Sequence, residues 1–290
     1  MVRKPVVAGK FYEMHPEMLK EQIEKCFRHE LGPGMPDMNK ANDSLKGAVI
    51  PHAGYMFSGM CAAHAFKQIR EAGEYDLFII LGFSHGQLDS NEITTTKEDW
   101  ETPLGKVRID RDFIDRLLEF DFVSECEKAH EYEHSIEVQL PFLQYLYGEI
   151  NFVPLSIADN CNIEKAAEKI NEVIEKQNKK VCIIASSDFT HYGPSFGFVP
   201  FKENIKKNLQ NLDIGAIDEI KVVNSKGFLN YIIGTNATIC GKQPIALLLE
   251  ILKNKVNRIE ALSYYTSGDL LKDYTNSVSY ASIIFEDIKL

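Results

Sequence analysis

The stretch "SSDFTHYG" (Ser186 to Gly193) follows the apolar run "VCIIA" directly, so Asp188 and His191 stand where a buried strand would surface. Two other junctions repeat the pattern: "GAVIPHAGY" puts His52 two residues past an apolar run, and "FIILGFSHG" puts His85 just past another. Imidazole titrates near neutrality and binds metals through a neutral ring nitrogen, so such a set suits proton transfer or metal ligation. A further donor is Cys240 in "NATICGKQPIALLLEIL", where Ile245, Leu248, Leu249 and Leu252 trace one apolar helical face and leave the cysteine at the helix start. A helix N-terminus favours thiolate over thiol. Two imidazoles and one anionic ligand, with open coordination positions, form a general pattern of catalytic metal sites. His52, His85 and Cys240 are the expected metal ligands.

Each residue also has a plainer reading. A single histidine past a strand is ordinarily a hydrogen-bonded loop residue, a single cysteine a small buried hydrophobe, and Asp188 a cap for backbone N–H groups. Their shared placement favours one site, with His191 moving protons and Asp188 and His134 tuning or orienting it. The segment "HEYEHSIEVQLPFL" adds Glu133 and Glu137, which on a helix would share a face, with His134 beside them. That segment reads either as a solvated helix start or as groups that orient a ligand imidazole or contact substrate. Tyr55, Glu133 and Tyr192 are the expected substrate contacts. His64 reads as a packed helix residue, and His15, His29 and His130 as solvated.

The elements that must position these groups alternate between strand-length apolar runs and amphipathic helix-length stretches, the signature of an α/β fold with a largely parallel sheet. Strands are expected over Gly47–Ile50, Asp76–Gly82, Asn151–Ile157, Val181–Ser186, Ala261–Thr266 and Ser277–Glu286. Between Asn162 and Lys179 the apolar residues recur at three and four, one face of a helix. Further helices are expected over Glu17–Leu31, Ser58–Ala72, Arg111–Phe120, Ser135–Tyr147 with a kink at Pro141, Lys202–Leu212 and Lys242–Asn254. Gly32 to Ser44 reads as a surface loop. In open parallel sheets ligands bind beyond the carboxyl ends of the strands, where the three histidine junctions fall.

Composition narrows the function classes. The 290 residues, 44% hydrophobic, suffice for a large core and read as a single domain over 1–290. A net charge of −10 without a Lys/Arg block argues against a nucleic-acid surface. No apolar run approaches the roughly 18 residues of a membrane span and no secretion signal opens the chain, so a soluble, cytoplasmic protein is expected. Six cysteines without any C-x-x-C pair argue against a zinc ribbon or a disulfide framework and read mostly as buried thiols.

Six motifs, "PHAGYMFSG", "ILGFSHG", "TPLGKVRID", "EHSIEVQLPFL", "ASSDFTHYG" and "TICGKQPI" in that order, resemble the Memo family, named for a mediator of receptor-driven cell motility in animals. The resemblance runs from "AGKFY" to "SVSYAS", nearly the whole chain. It implies a three-layer α/β sandwich similar to the catalytic subunit of LigB-type class III extradiol dioxygenases, which hold Fe(II) with two histidines and a glutamate. By resemblance His52 and His85 match the two histidines, Cys240 stands where the carboxylate would be, and His191 matches the acid/base histidine. Iron is the implied cofactor, with copper or zinc as alternatives because thiolate is the softer ligand. The resemblance implies a non-haem metal-dependent oxidoreductase acting on a small substrate. The alternatives are a peptide- or phosphopeptide-binding module and an iron- or copper-sequestering protein. Archaeal and bacterial relatives imply AMMECR-type and radical-SAM proteins as partners.

Overall fold

A computed structural model of the chain describes residues 2–40, 43–83 and 92–289. The described strands are β1 (Val2–Arg3), β2 (Leu45–Ile50), β3 (Leu77–Phe83), β4 (Ile93–Thr95), β5 (Asp99–Thr102), β6 (Gly105–Ile109), β7 (Val123–Glu125), β8 (Asn151–Ile157), β9 (Val181–Ser186), β10 (His191–Tyr192), β11 (Arg258–Thr266) and β12 (Ser277–Glu286). They join in the order β1-β5-β6-β8-β3-β9-β2-β12-β10, with β11 on the outer side of β12 and β4 bridging β8 and β7. The run β6-β8-β3-β9-β2 is parallel throughout, and β12 closes it antiparallel to β2.

Parallel strands covered on both faces read as continuous apolar runs rather than alternating ones. Leu77 to Leu81 of β3 illustrate this, each at most 1% exposed. Helices 16–28, 55–71 and 140–147 pack together on one face, and helices 163–177, 225–235 and 242–252 pack on the other. The result is a three-layer α/β sandwich with a mostly parallel sheet, as expected from the sequence. A proline in a central strand is unusual because it removes a ladder donor. Pro154 of β8 is tolerated where the outer partner of β8 changes from β6, at Asn151 and Phe152, to β4, at Ser156 and Ile157. The Pro154 carbonyl accepts the Thr95 hydroxyl at 2.8 Å instead.

Several expectations are corrected. Pro141 does not kink a helix interior: a short 3-10 turn over Glu137–Gln139 precedes a helix that begins at Leu140, so Pro141 lies in the first turn, where a missing N–H has no intrahelical partner to lose. The helix expected over Lys202–Leu212 runs over Ile205–Lys221, because Asp213 and Gly215 interrupt its apolar pattern without ending it. Ser225–Thr235 is an additional helix. His130 is not solvated but fully buried. His64 does lie packed on helix 55–71, its Nε2 3.0 Å from the Leu31 carbonyl.

Candidate functional site

The parallel register aligns the strand ends: Ile50 pairs with Ser186, and Phe83 with Ile157. The segments that follow β2 and β9 therefore leave the sheet side by side, carrying His52 and Asp188. One Asp188 oxygen, Oδ1, accepts the backbone N–H groups of His52 at 2.8 Å and Ala53 at 3.2 Å. The capping role weighed for this aspartate is thus present, and it ties the two segments together. Burial pushes the Asp188 carboxyl above its usual range, while His191, the two N–H groups and His134 oppose that shift.

The protonation of the His52 ring follows from a chain of constraints. The Pro51 carbonyl, 3.1 Å away, can only accept, so Gln139 turns its amide nitrogen this way. The same nitrogen donates to Ser186 Oγ at 2.8 Å. Ser186 has one proton, which goes to the Ser135 carbonyl at 2.6 Å. A lone pair of Ser186 therefore faces His52 Nδ1 at 3.1 Å, and Nδ1 must carry the ring proton. The other ring nitrogen, Nε2, then turns its lone pair to Cys240 Sγ at 3.1 Å, where it accepts the thiol proton that a metal would replace. Metal-binding histidines are commonly oriented in this way, by donation from the second ring nitrogen.

Cys240 arrives from the far end of the chain because Gly241 packs directly on the end of β9. A Cβ at Gly241 would come within 2.6 Å of the Ser186 carbonyl oxygen and collide with the Ser187 side chain. The Gly241 N–H donates to Ser187 Oγ at 3.0 Å, and Cys240 Sγ lies 3.6 Å from the Asp188 carbonyl. The cysteine precedes the N-cap, Gly241, rather than standing inside the helix. Although part of its surface is open, enclosure by protein and the Asp188 charge push the thiol well above its ordinary value, so the helix terminus does not by itself give a thiolate. A bound cation reverses that balance, since coordination deprotonates a thiol outright.

The remaining expected residues divide. His134 joins the site, its ring edge-on to His52 at 5.5 Å and to Phe11 at 5.1 Å. His191 is half-buried, edge-on to Phe196 at 5.0 Å, and acts electrostatically on Asp188. Glu133 is buried, with its carboxylate turned back onto the Ser135 N–H at 2.6 Å. Two expected substrate contacts are corrected. Tyr55 lies in the core between Tyr12 and Phe142 and donates its hydroxyl to the Val138 carbonyl at 2.7 Å. Tyr192 stacks on Phe201 and donates to its carbonyl at 2.6 Å. His85 lies outside the described residues.

Sequence reasoning missed Ser186, Gln139, Phe11 and Phe196. Gln139 gave a signal, as a polar residue in the apolar run "VQLPFL"; Phe11 gave none, since it lies far from the other site residues in sequence. Among the described residues no three His, Cys, Asp or Glu side chains close on a common point. The pair that does converge fits two ligands of one ion. Bonds of about 2.1 Å to nitrogen and about 2.3 Å to sulfur, meeting between a right angle and a tetrahedral one, separate the donors by roughly 3.1–3.6 Å.

An α/β protein with a histidine–cysteine pair and an aspartate at the carboxyl edge of its sheet is the class that fold and site define. A family profile described as "Memo-like protein" matches residues 3–284. A MEMO1 family protein of Methanopyrus kandleri is 42% identical over 98% of this chain and 99% of its own. MEMO1 family proteins of Methanobrevibacter smithii and Sulfolobus acidocaldarius are 38% and 39% identical, each over 99% of this chain and 100% of theirs. The chain belongs to the Memo family. The crystal structure of an uncharacterized protein from Escherichia coli K12 shares the fold, with a TM-score of 0.52 at 12% identity over 83% of this chain and 99% of that one. Among the described residues no helix is long and apolar enough to cross a membrane.

Proposed function

We propose that the cleft is a non-haem metal centre of a dioxygenase-like oxidoreductase acting on a small oxidisable substrate, with His52 and Cys240 as ligands and His85, by family resemblance, as the third. The observation that carries this reading is the 3.1 Å approach of His52 Nε2 to Cys240 Sγ, with the opposite ring nitrogen held on Ser186 at 3.1 Å. Iron(II), when bound, supplies open coordination positions at which dioxygen and a reductant meet. His52 would bind the iron through Nε2, with Nδ1 held by Ser186. Asp188 keeps the two ligand-bearing segments together, and the nearby His191 is the group placed to hold or release a proton at its ring nitrogen. Phe11 and Phe196, packed on His134 and His191, shield these rings from water on two sides.

The sulfur donor gives a second reading its support: a Cys/His pair also suits copper(I), as a sequestering site would require. The test is anaerobic metal loading followed by elemental analysis, with iron(II) and copper(I) in competition. About one iron per chain is expected, lost in His52→Ala and Cys240→Ala. Preferential copper uptake would favour sequestration. Iron content that both variants leave unchanged would overturn the assignment.

A further inference from the structure

β10 is a two-residue strand that carries His191 and, among the described residues, pairs with β12 alone, His191 opposite Val278. The ladder bonds on that side belong to its neighbours: Phe189 N–H donates to the Ser279 carbonyl at 2.8 Å, and Ser279 N–H to the Thr190 carbonyl at 3.0 Å. The N–H and C=O of His191 itself point the other way, and both meet one side chain. Thr238 Oγ1 accepts the His191 N–H at 3.0 Å and donates its own proton to the His191 carbonyl at 2.6 Å. A hydroxyl has one proton and two lone pairs, so a single threonine here does what a neighbouring strand would do. Thr190, one residue back, is anchored separately through its N–H and hydroxyl to the buried Asp213, at 3.2 and 2.6 Å.

Thr238 lies two residues before Cys240, with Ile239 buried between them and Gly241 pinned to Ser187. The same hydroxyl therefore joins the segment that carries the sulfur to the segment that carries Asp188 and His191. We infer that Thr238 is a positioning residue: its hydroxyl clasp sets the register of Cys240 against His191, and with it the geometry of the donors in the cleft. The inference rests on the metal-centre reading above for its consequence, though not for the clasp itself.

Thr238→Val keeps the side-chain shape and removes both bonds, leaving the His191 N–H and C=O against a methyl group; Thr238→Ser keeps both bonds. In the metal-free full chain, hydrogen exchange of the His191 amide is measured by NMR relative to the Ser279 amide, whose bond to Thr190 is untouched. Thr238→Val is expected to speed the His191 amide by about tenfold or more over that reference, with Thr238→Ser close to wild type. Cobalt(II) titration, followed through thiolate-to-metal absorption, is expected to show about ten- to hundredfold weaker binding in Thr238→Val and near-wild-type binding in Thr238→Ser. An unchanged His191 amide in Thr238→Val overturns the clasp. Equal loss of cobalt affinity in both variants overturns the positioning role, because the hydroxyl would not be its cause. Wild-type protein that takes up no cobalt yet shows the expected amide pattern overturns the metal-centre reading and leaves the clasp standing.

Discussion

His130, Glu133, His134 and Glu137 lie within one short stretch of chain, yet they serve two regions built in opposite ways. Glu137 is fully buried, and its carboxylate receives the Arg3 guanidinium at 2.8 Å, the Val6 and Val7 N–H groups and the Tyr12 hydroxyl. Arg3 also donates to the His130 and Glu133 carbonyls and lies 3.9 Å over the Trp100 ring. Every charge in this staple is directed at the protein itself, which fastens the N-terminal arm to the sheet. In the cleft the same residue types are held from behind, by Ser186, Gln139 and backbone N–H groups, so that the His52 Nε2 lone pair points away from its supports. A buried ion pair whose bonds all close inward is structural; a ring fixed through one nitrogen and facing a second donor with the other is fit to bind.

The sharpest way to break this contrast is to remove one charge from each region. Glu137→Ala leaves Arg3 buried without its partner, and a loss of about 3–5 kcal/mol in urea unfolding is expected. His52→Ala, at a site equally hidden from solvent, loses its bonds to Ser186 and Cys240 and the packing of the ring but strands no charge, so about 2 kcal/mol is expected. Comparable losses in the two variants would remove the distinction.

The next effect is a pH dependence belonging to the staple. Burial, aided by the nearby Arg3 charge and opposed by Thr94 and Glu133, lowers the His130 pKa from the ordinary 6.5 to about 4. In the unfolded chain His130 binds its proton near 6.5, so between the two values the unfolded state holds more protons. Stability then rises with pH through that window and is lost as pH falls from about 6.5 toward about 4, by roughly 3 kcal/mol in all. Unfolding free energies measured from pH 7 to 4 in wild type and His130→Gln check this. The difference between their slopes is the histidine's share, and parallel curves would refute it.

A smaller effect is expected where the two ligand-bearing segments touch. Gly241→Ala places a Cβ against the Ser186 carbonyl oxygen, which is backbone and yields little. A destabilisation of about 1–3 kcal/mol is expected from the displaced helix start, together with loss of cobalt binding. A variant that binds cobalt as wild type does would show that Cys240 reaches His52 without this close packing.

How far the sequence foretold these regions depends on what kind of signal each carried. His52, Asp188, His191 and Cys240 were legible because each interrupts or abuts a long apolar run, and the strands over Asn151–Ile157, Val181–Ser186 and Ser277–Glu286 appear where their composition places them. The short strands β4 to β7 were not legible, because three to five residues carry too little periodicity to register. Glu137 was read as solvated or as orienting a ligand imidazole and His130 as solvated, because charge and polarity in sequence suggest solvent or a site; only the fold reveals that Arg3, distant in the chain, meets the Glu137 carboxylate and the His130 carbonyl. Tyr55 and Tyr192 were read by their neighbours in sequence, whereas a residue at the end of a helix or strand can turn its side chain inward, as both do. Ser186 looked like the last residue of a strand and nothing more.

That serine carries the finest test of the contrast. In wild type its proton belongs to Ser135 and its lone pairs to Gln139 and His52, which leaves only the Nδ1–H tautomer for the His52 ring. Ser186→Ala removes the acceptor at little cost in packing volume, and stability is expected to fall by about 1–3 kcal/mol as its three buried partners lose a bond each. The tautomer should respond far more than the stability does. Long-range nitrogen–proton NMR on the metal-free protein is expected to show a single Nδ1–H form of His52 in wild type and a mixture in the variant. An Nε2–H form in wild type would mean that the ring points its proton, rather than its lone pair, at Cys240. Nε2 would then have no lone pair to offer a ligand, just as the groups of the staple have none, and the difference between the two regions would disappear.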